Sequence, residues 1–260
     1  MSEHMITLSV VTYNSSKDIE KMLESFLSFS DNLDYRMYVI DNHSSDDTVD
    51  IINHYVNDKI ELISLDQNIG FGAAHNKILE RIDSQYHIYV NPDIVFDNYV
   101  VTSMVEYMNQ HKEIGLLSPK VVGLDGTLQV LPKRDPKLIY LVSRRVNLKL
   151  LQNYRKEYEM GELDQNSVFD IEFATGCFMF VRTDLLKKVG GFDERFFLYF
   201  EDADLSREIR RYAKVEYNPH FVVRHRWERG GAKNFKLMII QIKSMLEYRK
   251  KWKTGDWNFS

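Results

Sequence analysis

The first half of the chain alternates between two hydrophobic rhythms. Ile6–Val11 is an apolar run interrupted only by Thr7 and Ser9, the look of a strand covered on both faces. The next apolar residues, Ile19, Met22, Leu23, Phe26 and Leu27, recur at i, i+3, i+4, i+7 and i+8 and so line one face of a helix. Ser15 and Asp18 are placed to cap its start. The alternation then repeats. Arg36–Ile40 reads as a second strand, and Ser44, Ser45, Asp46 and Asp47 open a helix with Val49, Ile52, Tyr55 and Val56 inward. Ile60–Ser64 is a third strand, followed by a helix from about Gly72 that buries Ala74, Ile78, Leu79 and Ile82. Tyr86–Val90 is a fourth strand, with Val100, Val101, Met104, Val105 and Met108 lining the helix behind it.

Strand–helix units on short loops predict an α/β fold: a largely parallel, Rossmann-like sheet with helices on both faces. Ligands bind such sheets at the carboxyl ends of the strands. The polar clusters fall there: Thr12-Tyr13-Asn14, Asp41-Asn42, Asp66-Gln67-Asn68 and Asn91-Pro92-Asp93 each follow one of the four strands. In the second half, Ile114–Val122 and Glu172–Arg182 read as strands separated by a long basic and apolar stretch. Leu205, Ile209 and Tyr212 mark a short helix, two strands lie near Val215 and Val222, and an amphipathic helix runs from about Asn234. There is no internal repeat and no Pro/Ser-rich linker. One domain over residues 1–260 is therefore expected, with halves at about 5–115 and 116–231 and a terminal helix at about 232–260.

Composition adds boundaries rather than detail. At 260 residues with 44% apolar and 28% charged residues, the chain is ordinary globular material. The sole cysteine, Cys177, precludes an intrachain disulfide and fits a reducing compartment. No apolar run approaches the roughly 18 residues of a membrane span, and the start does not read as a signal peptide. Residues 1–4, ahead of Met5, read as a cloning remnant. A cytoplasmic location is expected. The net charge of −4 conceals two basic stretches. Eight Lys/Arg lie between Lys133 and Lys156 against one acid, Asp135, and ten lie between Arg224 and Lys253 against Glu228 and Glu247. Interleaved with Leu, Ile, Tyr and Trp, they suit peripheral contact with an anionic membrane or a diphosphate-bearing substrate; the plain alternative is solvated helix faces. No nucleic-acid motif accompanies them.

Candidate chemistry concentrates at the strand ends. Asp41 can accept from a pyrimidine N3–H, or simply serve a turn. Asn68-Ile69-Gly70-Phe71-Gly72 joins strand to helix, with glycines allowing close backbone approach and free N–H groups suited to a diphosphate. Asp93 is presented outward by Pro92 and suits Mg²⁺ or Mn²⁺, which prefer oxygen ligands. Glu201, Asp202 and Asp204 crowd three carboxylates into four residues after the aromatic run Phe192, Phe196, Phe197, Tyr199 and Phe200. They either complement a helix N-terminus or form a partly buried site in which a raised pKa suits a general base. His225, between Arg224 and Arg226, is disfavoured as a cation and so can offer a neutral imidazole to a metal.

In this order the motifs resemble family-two glycosyltransferases of the glycosyltransferase-A fold, over about Ile6 to Gly231. The most specific stretch is Thr175-Gly176-Cys177-Phe178-Met179, Val189-Gly190-Gly191-Phe192-Asp193-Glu194, Glu201-Asp202-Ala203-Asp204 and His225, which looks most like rhamnosyltransferases of bacterial surface polysaccharides. The resemblance implies that Thr12, Tyr13 and Asn14 line a pyrimidine and Asp41 binds its edge, while Asn68, Gly70, Phe71, Asn76 and Asn91 border a nucleoside-diphosphate sugar. It implies Asp93 and His225 as ligands of Mn²⁺ or Mg²⁺, Asp202 as catalytic base, Glu201 as its support, and Asp204 as structural. The departure is Asn91, where many relatives carry Asp. The implied reaction is an inverting, metal-dependent transfer, with dTDP-rhamnose as the expected donor and a glycan or lipid-linked acceptor at the inner face of the plasma membrane. Processive relatives carry Q-x-x-R-W; here Arg226-Trp227 is present, but Val223 occupies the glutamine position. Two other readings are weighed. A sugar-nucleotide pyrophosphorylase would show a Gly-rich, Arg-containing loop after the first strand, where this chain has Thr12-Tyr13-Asn14-Ser15-Ser16. A non-catalytic glycan-binding scaffold would not need Asp93, Glu201, Asp202 and His225 intact.

Overall fold

The computed structural model describes residues 4–145, 148–226 and 235–252. The first four strands are His4–Thr12 (β1), Tyr35–Asp41 (β2), Ile60–Ser64 (β3) and Ser84–Val90 (β4), with helices Ile19–Ser28 (α1), Thr48–Asn53 (α2) and Phe71–Asn76 (α3) between them. The short strand Ile94–Val95 (β5) and helix Val100–Gln110 (α4) lead to Ile114–Val122 (β6) and Leu128–Gln129 (β7). Helices Leu138–Arg145 (α5) and Gln152–Tyr158 (α6) precede strands Phe169–Asp170 (β8) and Phe178–Arg182 (β9). Helices Thr183–Val189 (α7) and Glu201–Arg210 (α8), strand Lys214–His225 (β10) and helix Phe235–Lys251 (α9) complete the described chain.

One sheet joins all ten strands, in the order β3-β2-β1-β4-β9-β6-β10-β5, with β7 on β6 and β8 on β10. Strands β3, β2, β1 and β4 are mutually parallel, as the alternating pattern predicts. Beyond β4 the sheet is mixed, because β9 runs antiparallel to both β4 and β6. Period-two burial divides the strands between two cores. Ile6, Leu8, Val10, Met37 and Val39 join α1 and α4 on one face, while Val11, Tyr38 and Ile40 join residues of α3, α7 and α8 on the other. On α1 the predicted positions Ile19, Met22, Leu23 and Phe26 are all buried, each contributing roughly 1.5–3 kcal/mol of transfer free energy.

Thr7 and Ser9 within β1 are buried as well, and each meets a histidine. Thr7 Oγ1 lies 2.8 Å from His87 Nδ1, and Ser9 Oγ lies 2.9 Å from His87 Nε2 and 2.7 Å from His75 Nδ1. Burial lowers the His87 pKa to about 3 and pushes that of His75 well below the usual histidine range.

Several local expectations are corrected, each for a nameable reason. Asp18 makes no side-chain cap on α1; its carboxylate accepts from Arg226 Nη1 at 2.8 Å, and the Ser15 carbonyl takes the first free amides. Helix α2 ends at Asn53, leaving Val56 exposed. Helix α3 stops at Asn76, whose side-chain amide is held by the Phe192 backbone, and a 3-10 turn at Leu79–Arg81 completes the segment. Tyr212 lies beyond α8 and is exposed. Of the expected strand Glu172–Arg182, only Phe178–Arg182 forms a ladder; Phe173 makes a single antiparallel bridge to Lys133, and the Ala174 and Gly176 amides go to the Ser206 and Asp202 side chains of α8. The two strands near Val215 and Val222 are one, β10, with an irregularity where Pro219 lacks the N–H a ladder needs. Of residues 1–4, set aside as a remnant, His4 is the first residue of β1 and pairs with Ser84, while residues 1–3, Trp227, Gly231 and the ends of the expected 232–260 helix lie outside the described residues.

Candidate functional site

At the ends of β1 and β2, Thr12 and Asp41 are both buried. Asp41 Oδ1 accepts from Thr12 Oγ1 at 2.9 Å and from Ser44 Oγ at 2.5 Å, and Oδ2 accepts from the Ser44 amide at 2.9 Å. A carboxylate has about four acceptor positions, so roughly one remains, on Oδ2. Tyr13 beside it is 53% exposed and presents an open ring. Asn14 has a left-handed φ of 53° and accepts the Ser45 amide on Oδ1, which ties this loop to the one after β2.

The loop after β3 is held by Asn42. Its Nδ2 donates to Asn68 Oδ1 and to the Gly70 carbonyl, each at 3.1 Å, and its Oδ1 accepts the Ile69 amide at 2.9 Å. Gly70 has φ 96° and ψ 168°, a conformation essentially reserved for glycine. A Cβ there would lie 2.4 Å from the Phe197 carbonyl oxygen, which also accepts the Phe71 amide at 2.9 Å. Asn76 faces away from this loop, with both amide atoms on the Phe192 main chain.

After β4, the Asn91 amide donates to the Cys177 carbonyl at 2.9 Å. Asp93 Oδ2 lies 3.1 Å from His225 Nε2, and the Arg226 amide donates to the Asp93 carbonyl. The opposite ring nitrogen, His225 Nδ1, lies 2.9 Å from Gln129 Oε1, while Gln129 Nε2 donates to the His225 carbonyl. That second bond fixes which way the amide points, so Nδ1 carries a proton, and Nε2 and Asp93 Oδ2 are left facing each other across a position for a proton or a cation. The pair would suit a shared divalent cation. The flanking cations do not compete, since Arg224 pairs with Asp97 and Arg226 with Asp18. Among the described residues no group of three or more His, Cys, Asp or Glu surrounds a point. Asp93 and His225 therefore fit a hard cation that takes its other ligands from phosphate oxygens and water.

The second half supplies the carboxylates. Tyr199 and Phe200 both have left-handed φ, 69° and 74°, and turn the chain directly into α8. Asp202 Oδ2 accepts the Gly176 amide at 3.0 Å and Oδ1 accepts the Ala203 amide at 2.9 Å. Burial raises its pKa, opposed by the Gly176 amide and the ammonium of Lys133. Glu201 is buried with Oε2 unpartnered, and burial, reinforced by the Asp202 charge, holds its carboxyl well above the usual range. Lys133, itself buried, donates to Thr175 Oγ1 at 3.3 Å. The Cys177 carbonyl accepts the Asn91 amide and the adjacent Gly176 amide donates to Asp202, so residues 176–177 join the two loops; burial pushes the Cys177 thiol up to about 12 and leaves it inert. Asp204 turns away to Lys251 Nζ at 2.7 Å and Trp252 Nε1 at 2.8 Å.

Sequence reasoning missed Asn42, Gln129 and Lys133 as positioning residues. For Gln129 a signal existed: Asp125-Gly126 is a hairpin turn, and it returns β7 to β6 beside His225. Nothing local distinguishes the other two.

A parallel sheet with a polar rim at its strand ends, the Asp93–His225 pair there, and the buried Glu201 beside the half-buried Asp202 in the mixed half are the arrangement of a glycosyltransferase of the glycosyltransferase-A fold. The chain belongs to glycosyl transferase family 2, whose model matches residues 7–190. It is 25% identical over 219 residues to the N-acetylglucosaminyl-diphospho-decaprenol L-rhamnosyltransferase of Mycobacterium tuberculosis, covering 79% of this chain and 70% of that one. It is 24% identical over 236 residues to rhamnosyltransferase WbbL of Escherichia coli K12, covering 85% and 83%. Among solved structures, the mannosyltransferase PcManGT of Pyrobaculum calidifontis, in complex with GDP-Man and Mn²⁺, superposes with a TM-score of 0.67 at 16% identity, over 97% of this chain and 65% of that one.

Proposed function

We propose that this glycosyltransferase is an inverting rhamnosyltransferase, taking L-rhamnose from dTDP-rhamnose to a hydroxyl of a glycan or lipid-linked acceptor in bacterial surface-polysaccharide synthesis. The work is done at the inner face of the plasma membrane. The observation that carries the chemistry is the Asp202 carboxylate, fixed by two backbone amides and linked through residues 176–177 to the Asn91–Asp93 loop. The named activities of the M. tuberculosis and E. coli relatives support rhamnose as the sugar.

In this reading residues 1–260 are one domain, with 5–115 holding the donor and 116–231 the acceptor. Tyr13 faces the pyrimidine, Thr12 acts from behind by orienting Asp41 through its hydroxyl, Asn14 and Asp41 hold that loop and the base edge, and Asn68, Gly70, Phe71 and Asn91 border the diphosphate. Asn76 shapes the donor wall through Phe192. Asp93 and His225 hold Mn²⁺ or Mg²⁺, which when bound neutralises charge on the diphosphate. Asp202 removes the acceptor hydroxyl proton as that oxygen bonds to the anomeric carbon. The bond from that carbon to the diphosphate breaks on the opposite face, its electron pair leaves with the nucleotide, and configuration inverts. Glu201, whose charge is disfavoured by burial and by Asp202, supports Asp202 from the helix start.

The test is calorimetric binding of dTDP-rhamnose against UDP-glucose, each with and without Mn²⁺. Metal-dependent binding confined to the dTDP sugar is the expected result. Preference for UDP-glucose would discard rhamnose and leave a UDP-sugar transferase of the same fold, and binding of neither would overturn the donor site as described.

A further inference from the structure

Helix α9 has two unlike faces. Its inner face is fastened to the catalytic half: Ser244 Oγ donates to the Leu198 carbonyl, Tyr248 is fully buried, and Lys251 Nζ bonds Asp204, Asp193 and Glu208. Its outer face carries Phe235, Ile239, Ile242 and Leu246, exposed by 68, 38, 43 and 53%. These fall at i, i+4, i+7 and i+11, a single straight stripe along the helix. The other exposed residues of the described helix are Lys236, Lys243, Arg249 and Lys250, and no acid is exposed there.

Isolated exposed apolar residues need no explanation, but an aligned stripe flanked by cations is a contact surface. Helix α5 extends the character, packing Tyr140 into the same small core as Tyr248 while exposing Leu138 and Val142. Charge selects the occupant. Two copies of this face would bring cations together with no exposed acid to neutralise them, whereas an anionic bilayer attracts the cations and accepts the apolar stripe among its acyl chains. We propose that α9 is a membrane-docking helix, lying in the plane of an anionic lipid surface with Phe235, Ile239, Ile242 and Leu246 inserted. This deepens the lipid-linked acceptor reading by assigning the element that touches lipid. Through Lys251 and Asp204, docking holds the bilayer at a fixed position relative to Asp202, two residues away.

Flotation of the full chain with vesicles containing phosphatidylglycerol, and with pure phosphatidylcholine vesicles, tests it. Binding to the anionic vesicles only is expected, weakening in high salt. Ile239→Ser with Leu246→Ser should reduce it by at least about tenfold, and Lys243→Ser with Lys250→Ser by about tenfold or more. All four side chains are exposed, so thermal stability and dTDP-rhamnose affinity should stay at wild-type values, which keeps this result separate from the fate of the donor reading. No flotation, or flotation insensitive to both double variants, would overturn the proposal. So would a dimer that dissociates in the apolar variant while vesicles go unbound, which would assign the face to a second copy.

Discussion

Replacing Asp202 by asparagine tests the centre of the reading, because the structure separates its two costs. In the native site each carboxylate oxygen accepts one backbone amide, Gly176 at 3.0 Å and Ala203 at 2.9 Å. Asparagine keeps one acceptor oxygen and turns an NH₂ group toward the other amide, donor against donor. One amide is left unsatisfied, a loss of about 1–3 kcal/mol that appears in stability. The chemical cost is separate: the acceptor hydroxyl loses its proton acceptor, which costs roughly 10²–10⁴-fold in rate. Nucleoside-diphosphate release at saturating donor and acceptor measures the second, and thermal unfolding measures the first. The expected variant unfolds at a lower temperature, binds donor within about twofold of wild type because that interaction is made elsewhere, and turns over at least about 10²-fold more slowly. A folded variant with kcat within tenfold of wild type would remove Asp202 from the base role. Glu201→Gln is the companion: burial and the Asp202 charge already disfavour a charge on Glu201, so this variant should retain most of its turnover.

Lys133→Met removes the ammonium that lowers the Asp202 pKa, so that pKa rises and the acid limb of kcat moves to higher pH; an unmoved limb in a pH–rate profile would deny Lys133 an electrostatic role. Gly70→Ala puts a Cβ against the Phe197 carbonyl in a glycine-only conformation, and should cost about 1–3 kcal/mol in thermal unfolding and weaken donor binding measured by calorimetry. Gln129→Met frees the His225 ring, and should weaken Mn²⁺ binding in the presence of nucleotide by about 10–100-fold by calorimetry, with the fold intact by circular dichroism. His87 is neutral when folded, with a pKa of about 3, and protonates near 6.5 when unfolded. Its share of stability is thus complete above pH 6.5 and declines as pH falls toward 3, so the stability gap between wild type and His87→Gln should narrow on acidification, read from unfolding temperatures between pH 7.5 and 5.

The parallel half was legible because its rules are local. A strand buried on both faces needs a mainly apolar run and a helix on that sheet needs a 3.6-residue stripe, and β1, β2, β4, α1 and α4 obey these rules. The second half was misread where side chains displace backbone pairing. Glu172–Cys177 has strand-like composition, but the Glu172 and Phe173 amides go to the Lys133 carbonyl and the Ala174 and Gly176 amides to Ser206 and Asp202, about 30 residues downstream, and no window of sequence contains all these partners. The site followed the same division. Asp41, Asp93, Asp202 and His225 stand out as polar residues at strand or helix ends. Gln129 and Lys133 act through what they touch, and their neighbours are set by the mixed sheet.

That mixed sheet bears on how such enzymes can be recombined. Strand β9 comes from the second half of the sequence, yet it pairs along five residues with β4 and only two with β6. Its reversed direction brings its first residues, rather than its last, to the ligand rim; run the other way, a five-residue strand would carry Gly176 about 17 Å off. The boundary between halves in sequence is therefore not the boundary in space. A chimaera that grafts a foreign second half at residue 116 would import a new β9 directly against β4 of the parallel strands. Retaining the native 174–182 segment would keep the β4–β9 pairing intact and confine novelty to the rest of the second half.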